Sequence, residues 1–141
     1  MNHSFAPLKL TLYLLLLLAL GCGGDVSGRY AISGTVTLDG QPVPTGAIAV
    51  IPAAGTDGPT SGGSIDDGEY SIPASKGPAA GRYRVEIRWP REAGQVELYP
   101  GQTGAKFEEA IPAKYNTKSS LEIQVGEGNT EHNFDLTTSG A

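Results

Sequence analysis

Two kinds of hydrophobic pattern divide the chain. From Leu10 to Leu20 nearly every position is apolar, and no polar face recurs at the 3.6-residue period of an amphipathic helix. As a helix this run rises about 16 Å, half of a ~30 Å hydrocarbon core, so it predicts the core of a secretory signal rather than a membrane span. From Tyr30 the period changes to two. Tyr30, Ile32, Val36 and Leu38 share one face with Gly34, and Ala31, Ser33, Thr35 and Thr37 take the other. That alternation predicts a half-buried strand, closed by the hairpin-type turn Asp39-Gly40.

Similar units follow. A second strand is expected over Gly46 to Ile51, stopped by Pro52, and then a surface loop over 53–63, where nearly every residue is a turn former. Ser64 to Ile72 predicts a hairpin around Asp67-Gly68 with Ile65, Tyr70 and Ile72 inward and Pro73 at its end. Arg82 to Trp89 is the clearest strand. Tyr83, Val85, Ile87 and Trp89 alternate with Arg82, Arg84, Glu86 and Arg88, and Pro90 terminates it. Residues 91–110 read as a polar, irregular excursion with a short edge strand near Gln95–Tyr99. A last hairpin is expected between Leu121–Val125 and His132–Leu136, across Gly126–Asn129. Six or seven short antiparallel strands with one apolar face each predict an all-β antiparallel sandwich, because each sheet must bury that face against another.

Composition agrees. Glycine and proline supply 20 and 10 of the 141 residues, enough for many turns and too few for a low-complexity chain, and charged residues are only 18%. The net charge of -5 excludes the basic footprint of a nucleic-acid binder. Ala19-Leu20-Gly21-Cys22-Gly23-Gly24 resembles a bacterial lipobox, with small residues before a cysteine and flexible glycines after it. Cys22 is the only cysteine, so no intramolecular disulfide forms. The resemblance implies cleavage before Cys22, its acylation with two or three palmitate-type chains, and firm attachment to a membrane surface. Loss of Lys9 with the leader leaves 9 Lys and Arg against 15 Asp and Glu, so the lipid rather than surface charge must hold the protein there. The expected organisation is a signal peptide over 1–21, a lipidated tether over 22–29, a sandwich over 30–137 and a tail over 138–141.

The residues Ile32-Ser33-Gly34-Thr35-Val36, Gly40-Gln41-Pro42-Val43, Asp67-Gly68-Glu69-Tyr70 and Gly81-Arg82-Tyr83-Arg84-Val85 resemble the carboxypeptidase regulatory-like domain. That family is a transthyretin-like (prealbumin-type) sandwich of seven strands with Greek-key connections. Ile111-Pro112-Ala113-Lys114-Tyr115-Asn116, Ser120-Leu121 and Asn133-Phe134-Asp135-Leu136 are similar to small lipoproteins common in planctomycete bacteria. The resemblance covers about residues 30–137 and implies an exported, lipid-anchored protein of the cell envelope. No peptidase domain is expected within these residues.

Candidate chemistry is sparse. His132 is the one histidine beyond the leader, so sites built from several imidazoles or thiolates do not fit, and no G-x-S-x-G motif is present. Its parity with Phe134 and Leu136 predicts a rim histidine partly packed on the core. Asp66, Asp67 and Glu69 would attract calcium through hard oxygen ligands, yet Asp-Gly at a hairpin tip is ordinary turn chemistry and the D-x-[DN]-x-[DN]-G spacing is missing. The stripe Arg82, Arg84, Arg88 and Arg91 suits an anionic polymer, or pairing with neighbouring carboxylates such as Glu122 or Glu69. Tyr99, Phe107 and Tyr115 remain for an exposed patch. These features predict no cofactor, no metal and no catalysis. They predict a structural or protein-interaction module whose partner is an envelope protein. The alternative is a carbohydrate-binding accessory domain that uses Tyr99 and Tyr115.

Overall fold

The computed structural model describes residues 28–139, so the expected signal peptide and Cys22 lie outside the described residues. The fold is all-β and antiparallel with one exception. Its strands are β1 (Ile32–Leu38), β2 (Gln41–Pro42), β3 (Thr45–Pro52), β4 (Ser61–Asp66), β5 (Glu69–Ile72), β6 (Gly81–Arg88), β7 (Pro90–Tyr99), β8 (Gln102–Glu109), β9 (Glu122–Val125) and β10 (Phe134–Leu136), with a 3₁₀ turn at Ala113–Tyr115. Strands β10-β1-β5-β4-β3-β6-β9 form one hydrogen-bonded path, with β2 paired to the end of β1, while β7 and β8 pair only with each other.

Connectivity forces this sheet to curl. Strands β9 and β10 lie at its opposite edges, yet only residues 126–133 join them, a link of at most about 28 Å. The edges must therefore approach, and the curled sheet closes into a sandwich-like shell around one core. Inward-facing Ile32, Val36, Ile48, Val50, Ile65, Tyr70, Ile72, Tyr83, Val85, Ile87, Ile123, Val125, Phe134 and Leu136 fill it, joined by Val43 and Ile111 from connecting segments. The parity read from the sequence for β1, β5 and β6 agrees with this burial.

Local turn chemistry sets the register. At both two-residue hairpin tips an aspartate and a glycine take positive φ, Asp39 at 50° and Gly40 at 79°, Asp67 at 49° and Gly68 at 80°. Both tips therefore have the handedness that matches strand twist. They fix Leu38 opposite Gln41 and Asp66 opposite Glu69.

Four expectations are corrected. The last two strands do not form a hairpin: β9 pairs antiparallel with β6, whereas β10 pairs in parallel with β1. The turn between them exists, with Asn129 N–H donating to Gly126 at 3.0 Å, but each strand finds a free sheet edge instead of the other. Second, residues 91–110 are not irregular, since they form the long hairpin β7–β8 with two register shifts. Third, the loop after β3 ends earlier than 63, because Ser61, Gly62 and Gly63 pair with Val50, Ala49 and Ile48. Fourth, Pro90 does not stop extended structure. Trp89 is the corner between β6 and β7, and its N–H donates to the Glu109 carboxylate at 2.8 Å.

The molecule has two poles. The chain enters beside the β5–β6 connection, where Tyr30 N–H donates to Pro78 at 2.8 Å and Arg29 bridges Ala79. Strands β1 and β6 run in the same sense through three intervening antiparallel neighbours, and β6 starts at this entry pole. Eight residues of β6 carry the chain about 26 Å to the other end. The β7–β8 hairpin springs from there.

Candidate functional site

Two surfaces stand out: a polar groove on the outer face of the sheet, and the hairpin arm. A shallow groove of about 550 Å³ lies over β1, β4 and β5 and is walled by the segment before β10. Gly34 lines it, and on the inward side of that glycine the backbone carbonyl of His132 sits so closely that a Cβ at residue 34 would stand 1.8 Å from that oxygen. Three bonds hold the wall down. Tyr70 Oη donates to the His132 carbonyl at 2.8 Å, His132 N–H donates to the Ser33 carbonyl at 2.9 Å, and Thr35 N–H donates to Asn133 Oδ1 at 2.8 Å. Further along, Thr37 Oγ1 donates to Asp135 at 2.8 Å, and Thr138 N–H donates to Asp39 at 2.9 Å. These side chains lace the parallel pair together. Burial drives the Tyr70 hydroxyl far above its ordinary range, with the Glu131 charge adding to the effect, so it acts as a fixed donor and not as an acid.

The groove mouth is acidic. Asp66 and Glu69 stand directly opposite each other across β4 and β5, and Glu131 faces them from the wall, with Ser64 and Ser71 between. The third carboxylate of the predicted calcium trio, Asp67, is at the turn and does not line the groove. Among the described residues no three His, Cys, Asp or Glu side chains are placed to hold a metal ion. The groove can therefore accept hydrogen bonds and attract cations.

His132 stands on the rim, partly buried, as its parity predicts. Its Nε2 is buried without a hydrogen-bond partner among the described residues, and burial holds the imidazole below its ordinary range, only partly offset by a hydrogen bond to the Asn129 backbone. Folding therefore favours the neutral ring. Below about pH 6.5 the unfolded chain takes up a proton here that the folded protein resists, so stability falls as pH drops and is unaffected by this group above that point. Urea melts at pH 7.5 and pH 5.5 should show the protein losing stability at the lower pH. In His132→Gln that loss should shrink, and equal losses in both proteins would refute the assignment.

Two arginines of the stripe, Arg84 and Arg88, share one carboxylate on their own strand. Glu86 accepts from Arg84 at 2.7 Å and from Arg88 at 3.2 Å, and these guanidinium contacts hold its carboxyl below the usual range. The partners expected from neighbouring strands, Glu122 and Glu69, give way to this i, i+2 clamp, which the outward side of a single strand brings into reach unaided.

The arm carries every large hydrophobic residue exposed in the described part of the chain: Val96 at 43%, Leu98 at 56%, Tyr99 at 70% and Phe107 at 62%. No residue of β7 or β8 is buried, so the hairpin projects from the body rather than folding back on it. Register separates its faces. Val96 lies opposite Gly104 and Tyr99 opposite Gln102, while Leu98 covers Gly104, with a Cβ there 2.7 Å from Leu98 Cδ1. Val96, Leu98 and Tyr99 thus form one apolar patch near the tip. Phe107, opposite Glu92, lies on the other face. Tyr115 is far down the chain in the 3₁₀ turn, its hydroxyl accepting from Thr137 N–H at 3.2 Å and its ring beneath Lys114. The three aromatics predicted as one patch do not share a surface.

The class that emerges is an all-β, sandwich-like domain with an acidic groove on one face and a projecting apolar-tipped arm. Comparison with protein-family models, with curated proteins and with solved structures finds no match.

Proposed function

We propose that this is an exported, lipid-anchored module of the cell envelope that serves as a structural or protein-interaction element without catalytic activity. The lipobox-like run ending at Cys22 supports the anchor, and its likeness to planctomycete-type lipoproteins with a carboxypeptidase regulatory-like domain supports the setting. The observation that carries the interaction reading is the arm. A two-stranded hairpin is at best marginally stable alone in water, and here it leaves a cluster of large apolar side chains exposed at the pole opposite the chain entry. Such a surface is suited to docking.

Fractionation of cells expressing the full chain tests the anchor. The native protein should sediment with membrane, and Cys22→Ala should lose that association almost completely. If the Cys22→Ala protein still sediments with membrane, lipid on Cys22 is not what holds it.

A further inference from the structure

We propose that the arm is a self-association element: two anchored copies pack the tip halves of their arms face to face, about a two-fold axis running along the arms. The parallel sense of this pair rests on the anchored reading above; the contact itself rests on the arm. Three features point to a second copy.

The first is the distribution of side chains on one face of the ribbon. Val96, Leu98 and Tyr99 occupy its tip half, and Arg91, Lys106 and Glu108 its base half, where Arg91 lies opposite Glu108 in the register. A parallel two-fold sets apolar tip on apolar tip. An antiparallel pairing would bury each tip against the other's charges, which is costly. The second is charge. In the parallel arrangement β8 of one arm lies over β7 of the other, so Glu108 of each copy comes opposite Arg91 of its partner, at the level that their register sets.

The third is where the rest of the chain attaches. The residues before Gly28 join the body at the pole opposite the arm. On the anchored reading, the tether 22–28 reaches at most about 25 Å, so the lipid on Cys22 keeps the membrane near that pole. A membrane holding that pole is on the wrong side to receive the tip. Two copies anchored in the same membrane present their arms side by side and pointing the same way, as the two-fold requires.

The contact is small. Five residues of ribbon are about 17 Å long and 10 Å wide, which places the pair well under the ~1,000 Å² of a free-standing dimer. Confinement to a membrane plane raises the effective concentration and offsets that weakness.

The test is thiol cross-linking of the full chain in native envelopes. Leu98→Cys should yield an adduct of twice the chain mass, at least fivefold more than Gln95→Cys, which lies on the opposite face of the same strand. Adding Val96→Lys to Leu98→Cys should abolish the adduct, and the protein with native Leu98 controls for bridging through Cys22. Equal adducts at residues 95 and 98, no adduct at 98, or an adduct of another mass would each overturn the proposal. Fractionation of Cys22→Ala is read separately. If that protein stays on the membrane while Leu98→Cys still cross-links, the lipid reading fails and self-association stands.

Discussion

Gly34→Ala should destabilise the protein by about 3 kcal/mol or more and lower its midpoint of thermal unfolding by at least about 10 °C. Gly34 is not needed for an unusual φ; it is needed for space, because the added Cβ would stand 1.8 Å from the His132 carbonyl oxygen, a backbone atom that cannot step aside alone. Moving that carbonyl breaks the bonds from Tyr70 Oη and from His132 N–H to Ser33, and pulls Asn133 from the Thr35 N–H. The parallel strand β10 would lift from β1 and expose Phe134 and Leu136. Gly126→Ala is the control, since nothing lies within 4 Å of its added Cβ, and it should change stability by less than about 0.5 kcal/mol. Circular-dichroism melts of the two variants decide the matter; similar small shifts in both would show that β10 tolerates displacement.

Tyr83→Ala should cost about 3–5 kcal/mol, and Tyr83→Phe only about 1 kcal/mol. Tyr83 is fully buried at 0% exposure, the largest side chain so enclosed, and sits at the junction of β6 with β3 and β9 opposite Pro52 and Ile123. Its ring fills the core, and its hydroxyl donates to the Ala79 carbonyl at 3.1 Å, tying the core to the pole where the chain enters. Truncation opens a cavity that rigid strands cannot collapse, whereas the phenylalanine keeps the volume and forfeits one hydrogen bond. Urea unfolding of the three proteins measures the two terms separately. A Phe variant as unstable as the Ala variant would show that the hydrogen bond, not the ring, carries the site.

The strands of the core were legible because each satisfies a local rule. In Ile32–Leu38 and Arg82–Arg88 a period of two records one buried face, and the Asp-Gly pairs mark tips whose positive φ few other residues take. Of the arm only the stretch near Gln95–Tyr99 was legible as a strand, for the same reason. The arm has no buried face, so its apolar residues follow no alternation against a core, and two register shifts scramble what pattern remains. Its strand pairing is satisfied within the hairpin itself, by backbone bonds to which side-chain periodicity is blind.

The groove was half legible. Asp66, Glu69, Ser33 and Thr35 fall at outward parity in strands that the pattern identifies, so their shared face follows from adjacency of hairpin partners. Glu131 and Asn133 do not, because they reach the groove through a parallel pairing between residues 98 apart in sequence, of which the only local trace is the alternation in Asn133–Leu136. The same blindness misassigned the arginine stripe. Glu86 is two residues from both Arg84 and Arg88 on one outward face and pairs with both, although Glu122 lies directly opposite Arg84 in the register.

By itself the sequence determined which residues of the core strands turn inward and where the tight turns fall, since those follow from parity and φ preference. Only the tertiary structure decided which edges meet. Strands β9 and β10 had two ways to satisfy their backbones, with each other or with the free edges of β6 and β1. Pairing with the edges won because it buries both apolar faces in one core and closes the curl, a gain set by the whole sheet and written in no single segment.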